Sequence, residues 1–381
     1  MHSEKIVKIR KLGVMPTVDI EVKSENHIFY GNGIATSNSH SLEYAQIGEW
    51  TAYAKWHFPL HFFTSYLAYA KEKIDPKQET RELVNDAKAY GISVVPPNLE
   101  YIKDNKDGEM ILRDQEILFG LIDVKGIGRN HIHKLYDNIN QKEKELSKDV
   151  NSWDWMDCLV NLDCNSTVMD NLILIGALPG IESRKRKSYE YSIWNKLTDR
   201  DYEWIKSNYN RYGNLAETLA KYATVERKDG GPAMAKKRQQ ILEWSESLKN
   251  PSFDLTDHPD WIVSNEKELL GVPLSYNPTE TKSVITNMSV ADFINGKTGK
   301  ISLIVEINNP REFTIKNGQN KGSKMCYMSL KDTTGSVDGC VFSNMYSELA
   351  EFIFDGNVVL VTGERSKKDN KSLVIKNMEQ V

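Results

Sequence analysis

Cysteine is scarce in this chain, and long apolar runs are missing. Four cysteines, Cys158, Cys164, Cys326 and Cys340, are spread over 381 residues. They form no Cys-x-x-Cys pair and no histidines stand at finger spacing, so reduced thiols are expected, with no metal site and no disulfide framework. No apolar stretch approaches the roughly 20 residues that a membrane-spanning helix needs. The opening MHSEKIVKIRK is charged and no apolar core follows it, which argues against a secretory leader. A cytoplasmic location with no membrane partner is the expectation. An excess of one charge is also lacking: the net charge is -4. Any contact with nucleic acid must therefore come from local patches. Internal repeats and low-complexity tracts are absent.

At this length two to four domains are expected, each able to bury a core. Residues 1–38 have the character of short strands, with Val18, Ile20 and Val22 alternating with Asp19 and Glu21. Pro16 and Gly31-Asn32-Gly33 supply the turns. From Ser39 the pattern turns helical, with Tyr44, Ile47, Ala52, Trp56 and Phe58 near helical spacing, and Pro59 interrupts it. Further helices are predicted in HFFTSYLAYAKEK and KQETRELVNDAKAY, followed by the strand-like ISVVPPN. Residues 100–120 suggest a hairpin around Asp107-Gly108. Trp153 and Trp155 are expected to anchor a core. The basic run Arg184-Lys185-Arg186-Lys187 is expected to be a solvated face. Residues 247–285 suggest a linker carrying one helix, NEKELLGV. The last hundred residues alternate as five strands broken by one short helix, which suggests a small barrel.

The seam between residues 38 and 39 has a chemical reading. An asparagine amide can attack its own backbone carbonyl, forming a succinimide and breaking the following peptide bond. A following serine hydroxyl can first accept an acyl group, once a neighbouring base activates it. Asp19, His27, Asn38 and Ser39 hold these roles in order, with His27 moving protons or polarising the carbonyl. Residue by residue the bland alternative, a turn dipeptide and a packed histidine, is the better one. The stretch as a whole resembles the C-terminal segment of an intein: TVDIEV followed by HIFYGNGIATSN and then Ser39. That resemblance implies Asn38 as the cyclising residue, Ser39 as the nucleophile, and Asp19 and His27 as assistants. Ser37 stands where inteins usually carry histidine, which bears on the rate of cyclisation. With only 38 residues before the seam, the implied object is the C-terminal half of a split intein, spliced in trans with an N-terminal partner.

Beyond the seam, Ser39-His40-Ser41-Leu42-Glu43-Tyr44-Ala45, TAYAKWHFP, GISVVPPNLE, LFGLIDVKGIG, ALPGI and EKELLGVPLS follow in order. Together they resemble the C-family replicases, the alpha subunits of bacterial DNA polymerase III. The implied fold is multidomain α+β. Its parts are an intein fragment (1–38), a fingers region (39–113), a helix-hairpin-helix region (114–180) and a basic helical region (181–246). A linker (247–285) and an OB-fold (286–381) complete it. The resemblance places duplex DNA on Lys125, Gly126, Ile127, Gly128 and Arg129. Glycines there let the backbone approach a phosphate at a helix start. It places single strands on the barrel, with Phe313, Lys316, Lys321, Lys324, Tyr327 and Phe342 as candidates. Ser39 and His40 would open a fingers helix near the incoming nucleotide. Ser252, Phe253, Asp254 and Leu255 form a candidate sliding-clamp peptide that lacks the usual leading glutamine. Polymerisation needs carboxylates holding two metal ions. No Asp-x-Asp near a strand lies in residues 39–120, so magnesium is expected on the partner's palm and this chain alone is not expected to make DNA. The alternative is a non-splicing DNA-binding accessory protein with a relic leader.

Overall fold

A computed structural model describes residues 28–31, 34–37, 41–226, 237–280, 286–318 and 320–381, with side chains from residue 44 onward. Asp19, His27, Asn38, Ser39 and His40 lie outside the described residues. The chain divides into two compact units, Met1–Phe62 and Phe63–Val381.

In the first unit, strands β1 (Ile28–Gly31) and β2 (Ile34–Ser37) pair antiparallel, with Ile28 opposite Ser37 and Gly31 opposite Ile34. Helix α1 follows at Ser41–His57. Its Tyr44, Trp50 and Trp56 are each more than 65% exposed, at 71%, 67% and 74%. Helix α2 (Pro59–Ala68) begins on Pro59, which suits a first helical position because no N–H is needed there.

The second unit buries Phe63 and Leu67 of α2 beside α3 (Pro76–Ala89). Asp75 caps α3 by accepting from the Gln78 N–H at 3.1 Å, with Pro76 at the first helical position. A small sheet follows, ordered β3-β5-β4, of β3 (Ser93–Val95), β4 (Ile111–Arg113) and β5 (Glu116–Leu118). The hairpin turn of β4 and β5 is Asp114-Gln115, not Asp107-Gly108 as the sequence suggests. Asp114 takes the left-handed conformation at φ 53°, which a short polar side chain tolerates. Gly108 serves a different purpose. It closes a separate turn before β4, its N–H donating to Asn105 O at 3.0 Å with φ at 66°, and a Cβ there would also meet Ile132 Cδ1 at 2.6 Å.

That helix is α4 (Arg129–Leu146), followed by α5 (Trp155–Asn161), α6 (Ser166–Leu174) and α7 (Arg184–Trp194). Then come α8 (Asp199–Asn208), α9 (Leu215–Ala223), α10 (Arg238–Lys249) and α11 (Pro259–Leu270). Trp153 and Trp155 are buried as expected, and the Trp155 indole N–H donates to Glu190 at 2.7 Å. Within the stretch read as a linker, α11 starts six residues before NEKELLGV, on Pro259, and buries Glu266 completely.

The last part begins with the short helix α12 (Val290–Ile294). A closed five-stranded barrel follows: β6 (Ile301–Thr314), β7 (Lys324–Asp332), β8 (Gly335–Val341), β9 (Val358–Arg365) and β10 (Leu373–Gln380). The barrel order is β10-β8-β7-β6-β9, and α13 (Ser343–Leu349) fills the connection from β8 to β9. Period-two alternation makes this shape: Cys326, Met328 and Leu330 point inward while Tyr327 is exposed. Closure removes the open strand edges that would otherwise invite pairing with other chains.

Candidate nucleic-acid interface

The barrel's outer wall carries an aromatic pair. Phe313 on β6 and Tyr327 on β7 are 49% and 48% exposed, and their rings meet edge to face at 5.6 Å. The register explains the meeting. Phe313 pairs with Met325, and Tyr327 is its diagonal neighbour two residues on, within reach of aromatic rings. A bulge between Asn308 and Arg311, with Asn309 at φ 51°, re-aims the end of β6 and sets Arg311 opposite Tyr327. Exposed aromatic faces cost burial energy unless something stacks on them, which bases do with little regard to sequence.

The lysines predicted beside them are placed unevenly. Lys316 and Lys321 are exposed in the β6–β7 loop. Lys324 is paired with Glu312 at 2.9 Å. Glu312 also accepts from the Tyr346 hydroxyl, and that bond first, then Lys324, holds its carboxyl below the ordinary range. Phe342 stands just before α13 and is 45% exposed. The β9–β10 loop adds exposed Lys367, Lys368 and Lys371, which sequence reasoning missed. Their signal, three lysines in five residues between two alternating runs, was available.

The Gly126 hairpin lies in the helical part. Before it stands one 3-10 turn, Leu121–Asp123, in place of a full first helix; after it α4 starts with Gly128 as its cap. Gly126 is left-handed at φ 82°, and a Cβ there would meet Asn171 Nδ2 at 3.0 Å. Gly128 has ordinary backbone angles and open space around it. Its N–H donates to His131 Nδ1 at 3.2 Å. Ile127 is buried, while the Lys125 ammonium pairs with Glu268 at 3.1 Å and Arg129 with Glu109 at 3.4 Å. Both pairs are more than half exposed on their cationic side, so a phosphate can exchange for either carboxylate at little cost. The hairpin itself is fixed from behind: Lys125 N–H donates to Leu269 O at 2.8 Å, and Asn171 donates to Lys125 O at 2.7 Å.

The run Arg184–Lys187 is not a solvated face. Arg184 donates to Glu266 at 2.9 Å, Arg186 to Glu190 at 2.6 Å, and buried Lys187 to Leu178 O at 2.8 Å. Lys185 lies over the Trp261 ring at 5.5 Å. All four cations are engaged within the fold: Arg184 and Lys185 by partners far along the chain, Lys187 by the segment just before α7, and Arg186 by Glu190 one turn on in its own helix. The Ser252–Leu255 segment is tied down at both ends. Phe253 meets Tyr189 edge to face at 5.0 Å, and Leu255 O accepts from the Ser183 hydroxyl at 2.5 Å. Asp254, pulled down to about 2 by its bonds to Thr256 first, also accepts from His258 at 2.9 Å.

Among the described residues no group of three or more His, Cys, Asp or Glu side chains is gathered as a metal would require. Cys158, Cys326 and Cys340 are buried and Cys164 half-buried, all unpaired; burial pushes the Cys164 thiol up to about 12. No helix among the described residues is long and apolar enough to cross a membrane.

Residues 301–381, the whole of β6 to β10, match the family described as an OB-fold nucleic acid binding domain. Over 348 residues the chain is 23% identical to DNA polymerase III subunit alpha of Staphylococcus aureus (strain MSSA476), covering 90% of this chain and 28% of that protein. It is 25% identical over 345 residues to the subunit of the same name from Aquifex aeolicus (strain VF5), covering 90% of this chain and 25% of that protein. The chain is thus homologous to the C-terminal part of these polymerase subunits and spans about a quarter of their length.

Proposed function

We propose that this chain supplies the nucleic-acid-binding C-terminal part of a DNA-dependent replicative polymerase, with the catalytic metal ions held on a separate N-terminal fragment. The observation that carries the reading is the exposed Phe313–Tyr327 pair on a barrel of the nucleic-acid-binding type. Single strands lie on that face, bases stacked on the two rings and phosphates beside the loop lysines. Duplex DNA meets the Gly126 hairpin, where α4 opens on Gly128 and no side chain occupies that position. Helix α1 belongs to the fingers, and its exposed Tyr44, Trp50 and Trp56 are the surface that the rest of the polymerase covers. His40, beside the start of that helix in sequence, approaches the incoming nucleotide. The Ser252–Leu255 segment meets a sliding clamp through exposed Phe253.

The leader is the C-terminal half of a split intein, so the polymerase is completed by splicing in trans. Support comes from the β1–β2 ladder, which pairs Ile28 with Ser37. Those two residues follow His27 and precede Asn38 in the sequence.

Binding of the chain to fluorescent oligothymidine, followed by tyrosine quenching and anisotropy, tests the central claim. Tyr327→Ala and Phe313→Ala should each cost about 1–3 kcal/mol of single-strand affinity, roughly 5- to 150-fold. Unchanged affinity in both variants makes the barrel wall structural only.

A further inference from the structure

Strand β7 does not end on open surface. Its outward stripe runs from Tyr327 through Ser329 to Lys331, about 13 Å along the strand. There it enters a cleft of about 700 Å³ between α3, the 272–280 segment and the barrel. A neighbouring cavity of about 200 Å³ shares Arg81, Asn85, Lys331 and Ser336 with it and also reaches Ser329, so stripe and cleft are continuous.

The charges in the cleft are unequally satisfied. Arg81 is paired with Asp355 at 2.7 Å, and Glu306 with Lys267 at 2.7 Å. Asp332 is spent on the β7–β8 turn, accepting from the N–H groups of Val290, Thr334 and Gly335. Lys88 and Lys331 differ: both line the cleft, and the carboxylates near them act through space without a side-chain hydrogen bond to either. Burial lowers the pKa of both ammonium groups, Lys88 in spite of Glu266 and Glu280, Lys331 in spite of Asp86, Glu306 and Glu82. Asp86 and Glu280 line the same cleft and act on these two cations without a direct ion pair, so an anion seated between the lysines gains contacts that neither carboxylate makes. A chain with an anion at every repeat unit, lying along β7, runs on into the cleft that both lysines line.

We infer that the cleft is a phosphodiester site, through which a single strand bound on β7 leaves the barrel with its backbone against Lys331 and Lys88. The inference rests on the barrel wall being a single-strand site, and it adds α3 as the second wall of the path.

The test uses the full chain and two oligothymidines, about 4 and about 16 nucleotides long, bracketing the site sizes of such barrels. Lys88→Gln/Lys331→Gln should weaken the long strand about tenfold and flatten its salt dependence by about 1.4, that is about 0.7 for each of two lost phosphate contacts. The short strand should bind that variant as it binds the wild type. Phe313→Ala should weaken both strands. An unchanged affinity and salt slope for the long strand, with Phe313→Ala still weakening it, overturns the cleft and leaves the barrel reading in place. A wild-type chain that binds neither strand overturns both. Inorganic phosphate is the third probe: if it binds the wild type at millimolar concentration, is lost in the double variant and leaves the long strand's affinity untouched, the cleft holds a small anion and the strand path is wrong.

Discussion

Arg184 and Glu266, 82 residues apart, form one buried hydrogen-bonded pair at 2.9 Å with the carboxylate wholly out of solvent. Glu266 also accepts from the N–H groups of Leu274 and Ser275 at 2.7 and 2.9 Å and from the Ser275 hydroxyl at 2.5 Å. Arg184 also donates to Leu174 O at 3.1 Å and to the Ser275 hydroxyl at 3.0 Å. The pair therefore ties the end of α6 and the start of α7 to α11 and the segment after it. This arrangement backs the Gly126 hairpin, whose Lys125 N–H is held by Leu269 of the same α11.

Removing the carboxylate leaves a guanidinium largely out of water without its charge partner. Glu266→Ala should lower unfolding stability by about 3–5 kcal/mol, as for other buried pairs broken on one side. Lys297→Ala, which breaks the exposed pair with Asp292, should cost no more than about 1 kcal/mol. Chemical denaturation of both variants checks the contrast. Equal losses would mean that Glu266 is not a structural hub.

Asp123 gives the stability a pH dependence of unusual sign. One carboxylate oxygen sits 3.8 Å from Lys71, and the other is buried without a partner. Burial raises its pKa from 3.8 to about 6, with Lys71 opposing and Glu109 adding. The folded state thus holds a proton that the unfolded state has lost between pH about 4 and 6, and stability falls as pH rises through that window. The full cost, on the order of 3 kcal/mol at one pKa unit per 1.4 kcal/mol, is present above pH about 6. Asp123→Asn should therefore be more stable than the parent at pH 8 and similar to it at pH 4. Thermal unfolding across that range decides the matter, and a difference that does not vary with pH would sink the idea.

The two hairpin glycines should separate folding from binding. Gly126 needs its left-handed backbone, so Gly126→Val should destabilise the chain by about 1–2 kcal/mol or more. Gly128 has room for a methyl group and normal angles, so Gly128→Ala should change stability by less than about 1 kcal/mol. A methyl there stands between the opening N–H groups of α4 and a phosphate. Duplex affinity should fall with Gly128→Ala while sequence dependence stays absent and the salt dependence remains steep. Full duplex binding by a folded Gly128→Ala chain would remove the hairpin from the interface.

What the sequence makes legible follows from how local each signal is. The barrel is legible because inward and outward residues alternate within each strand, as at Cys326, Tyr327 and Met328. The buried tryptophans are legible because 153 and 155 have few other uses for such large side chains. The role of Arg184 is not, since Glu266 lies 82 residues along the chain; only the Arg186–Glu190 pair, at helical i,i+4 spacing, has a local signal. The β4–β5 turn is misplaced for a different reason: Asp107-Gly108 does form a turn, closed by the Gly108 N–H on Asn105 O at 3.0 Å with Gly108 left-handed at φ 66°, but it lies before β4 and does not join two strands. The Lys88–Lys331 cleft has no sequence signature, because two ordinary lysines 243 positions apart converge only through the packing of α3 on the barrel.

Splicing is the reading that most changes what the chain does, and its chemistry makes it separable from binding. Attack by the Asn38 side-chain nitrogen on its own carbonyl requires an amide at that position, and Ser39 must carry a hydroxyl to receive the upstream segment. Mixed with an N-terminal partner, the chain should give a ligated product whose C-terminal part begins at Ser39, together with a free 38-residue peptide. Asn38→Ala should accumulate the branched ester and release no peptide, while Ser39→Ala should block transfer altogether. His27→Ala should slow release strongly, because Ser37 offers no second imidazole beside the asparagine. Intact-mass spectrometry distinguishes the branched, ligated and excised species. Normal release by Asn38→Ala would exclude cyclisation at that residue. None of these variants touches the barrel or the hairpin, so each should bind single and double strands as the parent does. A splicing variant that lost DNA binding would tie the leader to the interface in a way the proposal does not allow. The unspliced chain should incorporate no nucleotide, and the ligated product should, since only ligation joins these surfaces to the fragment proposed to hold the metal ions.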